Sequence, residues 1–204
     1  MRPLGRTIMD FSTVAMQCAP DVHLNTMQSI VHVESSFNPY AIGVVNGHLV
    51  RQPTNKAEAI ATVKALENSG FNYSMGLAQV NKYNLGKYGL DLDTVFEPCA
   101  NVHAGGEILK DCFKRASGKK ANEQEALRDA ISCYYSGNFT TGYKAGYVMK
   151  VVSASGAKPI QVINNQFKKG VVTKTNKTNN EIAKTTPEIN KIDNQPQEST
   201  ALLF

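Results

Sequence analysis

The first strongly periodic stretch of this chain ends in an acid. From Leu24 to Val31 the apolar residues recur at helical spacing, which predicts a helix over residues 21–36 with one buried face. Glu34 lies on that face, seven residues after Met27. Pro39 predicts the end of the helix, because the residue before a proline avoids the α conformation. The chain must therefore bury a helix that carries a carboxyl group at its end.

Similar signals predict further helices and a mainly α fold. Asn55 and Glu58 form a possible capping box with Gly70 as the C-terminal cap, and Asn122 and Glu125 form a second one. The predicted helices after the first cover residues 55–69, 98–116, 122–136 and 143–153. Residues 40–53 are predicted as loop or short extended structure, and the segment after residue 71 as a turn leading into a short helix.

Composition divides the 204 residues into one domain and two ends. Residues 15–160 are predicted as the domain, and residues 1–14 as a flexible N-terminus. Residues 161–204 are predicted as a low-complexity, disordered tail, because they are rich in Asn, Thr and Lys without an apolar period. No segment is long and apolar enough to span a membrane. Asp10 interrupts the weak apolar stretch near the start, so no signal peptide is predicted.

Charge and cysteine content limit the function classes. The net charge of +5 favours an anionic partner, or simply a lysine-rich surface. Arginines do not alternate with aromatic residues, so no nucleic-acid partner is predicted. The four cysteines allow three disulfide pairings, and reduced core cysteines are an equal alternative. Without a C-x-x-C unit or a histidine at zinc spacing, no metal site is predicted.

Glu34 is the first candidate for chemistry. Burial raises the pKa of a carboxyl group because desolvation disfavours the charged form. A glutamic acid that stays protonated near neutral pH is suited to general acid catalysis. A glutamate at a helix end can also turn into water and have no function, and for an isolated glutamate that is the commoner case.

Two further segments add candidates. In "SMGLAQVN", Gly76 lets backbone approach a ligand closely, and the amide of Gln79 can both donate to and accept from sugar hydroxyl groups. In "ISCYYSG", Tyr134 lies on a predicted buried face just before Gly137. Taken alone, "SMGLAQVN" is better explained as a turn with a surface glutamine, and Tyr134 as an ordinary core tyrosine.

The order of the three segments is more specific than any one of them. It resembles the lytic transglycosylases of the soluble-lytic-transglycosylase, lysozyme-like superfamily. Over residues 15–152 the flanking sequences look like the specialised transglycosylases of type IV secretion and conjugation systems. The matching residues are Glu34, Ser35, Asn38 and Pro39 in the first motif, Gly76, Leu77 and Gln79 in the second, and Tyr134 and Gly137 in the third.

The resemblance implies a reaction. The expected substrate is peptidoglycan, cut at the β-1,4 bond between N-acetylmuramic acid and N-acetylglucosamine with a 1,6-anhydro product and no cofactor. Glu34 would be the one catalytic acid and base, and Gln79 and Tyr134 would orient the sugar or Glu34. Ser74, Met75 and Asn81 are further candidates for substrate binding.

The resemblance also implies a location and partners. Proteins of this family work in the periplasm, an oxidising compartment that favours disulfides. The expected pairs are Cys18–Cys99 and Cys112–Cys133. The expected partners are peptidoglycan glycan strands and components of a type IV secretion system. The chain departs from the family pattern at Gly43, Ala78 and Tyr135, where serine, methionine and asparagine are common.

Three other readings remain open from the sequence. One is a lysozyme-like hydrolase with a second acid, which would leave reducing ends instead of anhydro ends. Another is a non-catalytic wall-binding protein that retains the fold. The third places the same fold in a phage particle instead of a secretion system.

Overall fold

The computed structural model describes residues 10–120 and 122–156. The predicted tail at residues 161–204 and the first nine residues lie outside the described residues. The mainly α class is confirmed. In chain order the elements are α1 (Phe11–Cys18), α2 (Leu24–Ser35), β1 (Ile42–Val44), α3 (Lys56–Asn68), β2 (Tyr73–Met75), β3 (Val80–Asn81), the short 3-10 helices Lys82–Asn84 and Gly86–Tyr88, α4 (Pro98–Ser117), α5 (Glu123–Ser136), α6 (Thr141–Lys144) and α7 (Tyr147–Ala154).

Polar caps fix the ends of the helices much as the sequence predicts. The side chain of Asn55 accepts the backbone N–H of Glu58 at 2.9 Å, and that of Asn122 accepts the N–H of Gln124 at 2.8 Å. Gly137 ends α5 in the left-handed region, with φ of 72°. These bonds satisfy N–H groups that the first turn of a helix leaves without a partner.

Two helical regions differ from the prediction. Helix α1 begins at Phe11, so residues 11–14 belong to the packed domain and not to a flexible end. Its apolar face is buried through Val14 and Ala15. The last predicted helix is divided into α6 and α7, because Gly146 adopts φ of 71° between them.

The prediction of a turn leading into a short helix after residue 71 missed two strands, and the short 3-10 helices come only after them. The chain instead forms the antiparallel pair β2–β3, and β1 pairs with the other edge of β2 to give a three-stranded sheet. Gly76 and Gln79 reverse the chain between β2 and β3, with φ of 79° and 48°. Strands of two or three residues are too short to show a period in the sequence, which is why the pattern did not reveal them.

The domain contains two apolar cores. The larger lies between the helices, and the smaller lies between the sheet and α3. Fully buried residues of the larger core include Met27, Ile30, Val31, Val102 and Ala130. Those of the smaller core include Ala59, Val63, Tyr73, Met75 and Val95.

Two disulfides join the helices of the larger core. Cys18 at the end of α1 is bonded to Cys99 at the start of α4, and Cys112 in α4 is bonded to Cys133 in α5. These are the two pairs that the family resemblance implies. Helix α4 is therefore covalently tied at both ends, and its residues provide a fixed support for the β2–β3 turn.

Candidate active site

The candidate site is centred on a hydrogen bond between α2 and α7. Glu34 lies in the last turn of α2, and Tyr147 is the first residue of α7. The Tyr147 hydroxyl donates to Glu34 Oε1 at 2.5 Å. Helices α2 and α7 pack against each other, so two segments that are 113 residues apart in the sequence meet at this bond.

The surroundings of Glu34 favour its protonated form. The residue is half-buried, and the protein atoms around its carboxyl group desolvate it. Desolvation raises the pKa of Glu34 from 4.5 to about 7, and the hydrogen bond from Tyr147 acts in the opposite direction. The C-terminal end of α2 also disfavours a negative charge. A carboxyl group with this pKa can donate a proton near neutral pH.

No cation lies close enough to offset this effect. Within the part of the chain that the structure describes, Glu34 forms no ion pair with a lysine, arginine or histidine. His32, two residues earlier, is exposed, and its ring lies 5.8 Å from that of Phe37. No second carboxylate among the described residues contributes to the raised pKa of Glu34.

The chain leaves α2 through a strained segment. Ser36 and Phe37 both have positive φ, 49° and 64°, in a region that non-glycine residues rarely adopt. The Phe37 ring packs at 5.1 Å from the ring of Phe11 in α1. Strain of this kind is held only where the surrounding structure supports it, and it often occurs at functional sites.

Tyr134 supports the β2–β3 turn. It is fully buried in α5, and its hydroxyl donates to the carbonyl oxygen of Ala78 at 2.5 Å. Burial, followed by the charge of Glu34, raises the pKa of the Tyr134 hydroxyl well above 10.0. Tyr134 is thus close enough to Glu34 to sense its charge, while its hydrogen bond goes to the turn.

Gln79 also turns its side chain to the backbone. Its Nε2 donates to the carbonyl oxygens of Ala41 at 3.0 Å and Gly76 at 2.8 Å, and the residue is 7% exposed. A Cβ atom on Gly43 would lie 2.7 Å from Gln79 Oε1. The departure from the family pattern at Gly43 therefore provides the space in which the Gln79 amide lies.

Asn101 is the third support of the turn. Its Oδ1 accepts the N–H of Ala78 at 2.7 Å, and its Nδ2 donates to the carbonyl oxygens of Met75 at 2.9 Å and Val95 at 2.8 Å. A Cβ atom on Gly76 would lie 2.3 Å from Asn101 Nδ2, so only glycine lets the turn approach α4 this closely.

The other sequence candidates lie in the sheet. Ser74 and Asn81 are opposite each other in the β2–β3 register, and Asn81 Nδ2 donates to Ser74 Oγ at 3.3 Å. Met75 is fully buried in the smaller core. The structure therefore brings Glu34 and Tyr134 together with the turn that contains Gln79, and it places Ser74, Met75 and Asn81 within the strands that carry that turn.

Sequence reasoning missed Tyr147 and Asn101. Tyr147 follows Gly146 directly, and a tyrosine at a helix start just after a glycine offers little signal without knowledge of what it faces. Asn101 is an amide within the apolar face of α4, in the segment "NVHAGGEIL". A buried polar residue among apolar ones is the one signal that would have pointed to it.

Comparison with known proteins is consistent with this geometry. Residues 13–155 match the family described as "Transglycosylase SLT domain". The type IV secretion system protein virB1 of Brucella suis biovar 1 (strain 1330) is 52% identical over 164 residues, which cover 76% of this chain and 69% of that protein. The chain belongs to the SLT transglycosylase family. The expected enzyme class, a peptidoglycan lytic transglycosylase, is confirmed.

Relatives from a second genus are more distant. Protein virB1 of Agrobacterium fabrum (strain C58 / ATCC 33970) is 34% identical over 147 residues, which cover 72% of this chain and 59% of that protein. No solved structure matches the chain. None of the helices in residues 10–120 and 122–156 has the length and apolar character that crossing a membrane requires.

Proposed function

We propose that this chain cleaves the β-1,4 bond between N-acetylmuramic acid and N-acetylglucosamine and releases a 1,6-anhydro product. One observation carries the proposal. The carboxyl group of Glu34 has a pKa of about 7 and accepts a hydrogen bond from Tyr147, and no second carboxylate among the described residues contributes to that raised pKa.

The reaction requires one group that first gives a proton and then takes one. Protonated Glu34 donates its proton to the glycosidic oxygen, and the bond to the muramic C1 breaks with its electron pair leaving on that oxygen. The muramic N-acetyl group stabilises the developing positive charge at C1. The Glu34 carboxylate then removes the proton from the 6-hydroxyl of the same sugar, whose oxygen forms the new bond to C1.

Because no other described carboxylate acts on the pKa of Glu34, a route that needs a single acid is favoured over hydrolysis. Most glycosidases use two carboxylates on opposite sides of the bond. In a transglycosylase the attacking oxygen belongs to the substrate, so no second carboxylate has to activate a water molecule. The pKa of Glu34 near 7 allows both protonation states to be reached at neutral pH.

The remaining candidate residues act through the turn. Gln79 and Tyr134 fix the position of the β2–β3 turn, which borders the sugar beside Glu34. Ser74, Met75 and Asn81, expected from the sequence as substrate contacts, are buried and would act by supporting the strands that carry the turn. These roles are supported by the hydrogen bonds of Gln79 and Tyr134 to Ala41, Gly76 and Ala78 and by the burial of the strands.

The relatives support a proposal for the cellular setting. Peptidoglycan as substrate places the protein in the cell envelope. We infer that it works in the periplasm and opens the wall locally for a type IV secretion or conjugation apparatus, since the relative from Brucella suis is named a type IV secretion system protein. Restoration of secretion in a deletion strain by the wild-type gene, but not by a Glu34→Gln gene, would support this setting. Normal secretion with Glu34→Gln would exclude it.

Mass spectrometry of digested peptidoglycan tests the chemistry. Wild type should release anhydro-muropeptides, and Glu34→Gln should release at least about 1000-fold fewer, since general acid and base catalysis both depend on this group. Glu67 is a matched control, because it is the penultimate residue of α3 just as Glu34 is of α2, but it is exposed. Glu67→Gln should retain wild-type activity.

Other products would indicate other functions. Reducing ends without anhydro ends would indicate a lysozyme-like hydrolase and a second acid. Binding to insoluble peptidoglycan without any turnover by wild type would indicate a wall-binding protein. Anhydro products at the wild-type rate from Glu34→Gln would remove Glu34 from its proposed role.

A further inference from the structure

Two tyrosine rings are stacked beside Glu34. The rings of Tyr135 in α5 and Tyr147 in α7 have centroids 4.7 Å apart and planes 23° apart. Tyr147 is the residue whose hydroxyl donates to Glu34, while Tyr135 is half-buried and stands at the position where the family commonly has asparagine. The stack is thus a feature of this chain that the family motif does not supply.

The stack determines where the Tyr147 hydroxyl can lie. The phenol oxygen lies on the axis through Cβ and Cγ, so rotation of the ring about that axis leaves it in place, whereas a swing of the whole ring about χ1 moves it relative to Glu34. Tyr147 is the first residue of α7 and is buried in the larger core, against which Tyr135 packs. The face of the Tyr135 ring limits the swing of the Tyr147 ring on one side.

We propose that Tyr135 is a positioning residue for Glu34: its ring fixes the Tyr147 ring and, through it, the hydrogen bond that sets the direction and proton affinity of the carboxyl group. This role presupposes the transglycosylase reaction proposed above. Adjacent residues of α5 then have separate tasks, since Tyr134 bonds to the β2–β3 turn and Tyr135 supports the acid.

Two hydroxyl groups respond to the charge of the same carboxyl. The pKa values of Tyr134 in α5 and Tyr147 in α7 are both raised well above 10.0, first by burial and next by the charge of Glu34. Tyr135 in turn acts on the pKa of Tyr147. Because these hydroxyls stay protonated at neutral pH, a change of the rate near pH 7 reports on Glu34 itself.

The test measures the pH dependence of cleavage of soluble, uncross-linked glycan strands. Glu34 must be protonated to start the reaction, so the rate falls as the pH rises through its pKa. Loss of the Tyr147 hydrogen bond removes a group that favours the carboxylate, so Tyr147→Phe should move this alkaline limb upward by about 1 pH unit. Tyr135→Leu should move it in the same direction, and Tyr135→Phe, which keeps the ring, should not.

A double variant shows whether the two tyrosines act as one unit. In Tyr135→Leu/Tyr147→Phe the alkaline limb should lie where it lies in Tyr147→Phe alone, because the hydrogen bond can be lost only once. Tyr143→Leu is the control for loss of a nearby tyrosine, since Tyr143 is 43% exposed and bonds to Asp129 instead. It should leave the pH profile unchanged.

Several outcomes would overturn the role of Tyr135. These are an unshifted alkaline limb in Tyr135→Leu, a shift equally large in Tyr135→Phe, or additive shifts in the double variant. A raised KM with an unshifted limb would make Tyr135 a sugar contact instead. Tyr135→Ala provides a second ring deletion if the leucine variant does not fold by circular dichroism. Absence of anhydro products from wild type would instead refute the proposed function, independently of Tyr135.

Discussion

One polar group beside each of the two apolar cores can be compared by its hydrogen bonds. At the edge of the larger core, the Glu34 carboxyl accepts a hydrogen bond from Tyr147, and its pKa rises to about 7. Beside the sheet, the Asn101 amide uses its oxygen and both hydrogens in three hydrogen bonds. The Glu34 carboxyl can therefore exchange its proton near neutral pH, whereas the Asn101 amide is held in one orientation.

The number of hydrogen-bond partners distinguishes the catalytic carboxyl from the groups that support the β2–β3 turn. A buried polar group with all its partners stabilises one geometry, whereas a carboxyl with too few partners changes its protonation state. The β2–β3 turn belongs to the first kind, because Asn101, Gln79 and Tyr134 all bond to its backbone or its flanks. Variants of the two regions should accordingly change different properties, stability in one and pH dependence in the other.

The largest effect on stability is expected at Asn101. Asn101→Leu removes all three hydrogen bonds and leaves the N–H of Ala78 and the carbonyls of Met75 and Val95 buried without partners. The free energy of unfolding should fall by about 4 kcal/mol, as measured by urea denaturation. Asn68→Leu, at the exposed end of α3, should change it by less than about 0.5 kcal/mol. Equal losses in both variants would show that the amide does not lock the turn.

Glu34→Gln should stabilise the protein at alkaline pH. The folded pKa of Glu34 lies above its usual value of 4.5, so wild type loses stability as the pH rises from 4.5 through about 7. Glutamine does not ionise, so the variant should exceed wild type by about 3 kcal/mol at pH 8 and by almost nothing at pH 4.5. Urea denaturation at both pH values gives the difference. A gain that is the same at both would contradict the raised pKa.

Tyr134→Phe should have an intermediate effect. The variant leaves the Ala78 carbonyl without its bond and should lower the free energy of unfolding by about 2 kcal/mol. Because the hydroxyl of Tyr134 bonds to the turn and not to Glu34, the alkaline limb of the pH–rate profile should stay in place. If Tyr134→Phe shifts the alkaline limb as much as Tyr147→Phe is expected to, the Tyr134 hydroxyl acts on Glu34 and not only on the turn.

The smallest effect is expected at Gly43. A Cβ atom there would meet Gln79 Oε1 at 2.7 Å, so Gly43→Ala should cost about 1 kcal/mol of unfolding free energy as the amide shifts. In a Gln79→Ala background the same change should be neutral or stabilising, because the contact is gone and alanine restricts the unfolded chain. If Gly43→Ala lowers the unfolding free energy equally in both backgrounds, the loss does not come from contact with Gln79.

The helices were largely readable from the sequence, whereas the sheet was not. Capping by Asn55 and Asn122 and the end of α5 at Gly137 follow from local hydrogen bonds that the residues themselves specify. Strands β2 and β3 are held by pairing with each other and with β1, and the segment alone suggested a turn and a short helix. A helix cap depends on residues a few positions apart, so the sequence reveals it, whereas a strand depends on pairing with segments that are distant in the sequence.

The sequence by itself determined the family, the helical class and the position of Glu34 at the end of a buried helix. Only the tertiary structure decided what holds that acid. Tyr147 reaches it from 113 residues away, Tyr135 stacks on Tyr147, and Gln79 and Tyr134 turn to the backbone of the β2–β3 turn. The physical reason is that a pKa depends on solvent exclusion and on hydrogen-bond partners, and both are set by packing between segments that are distant in the sequence.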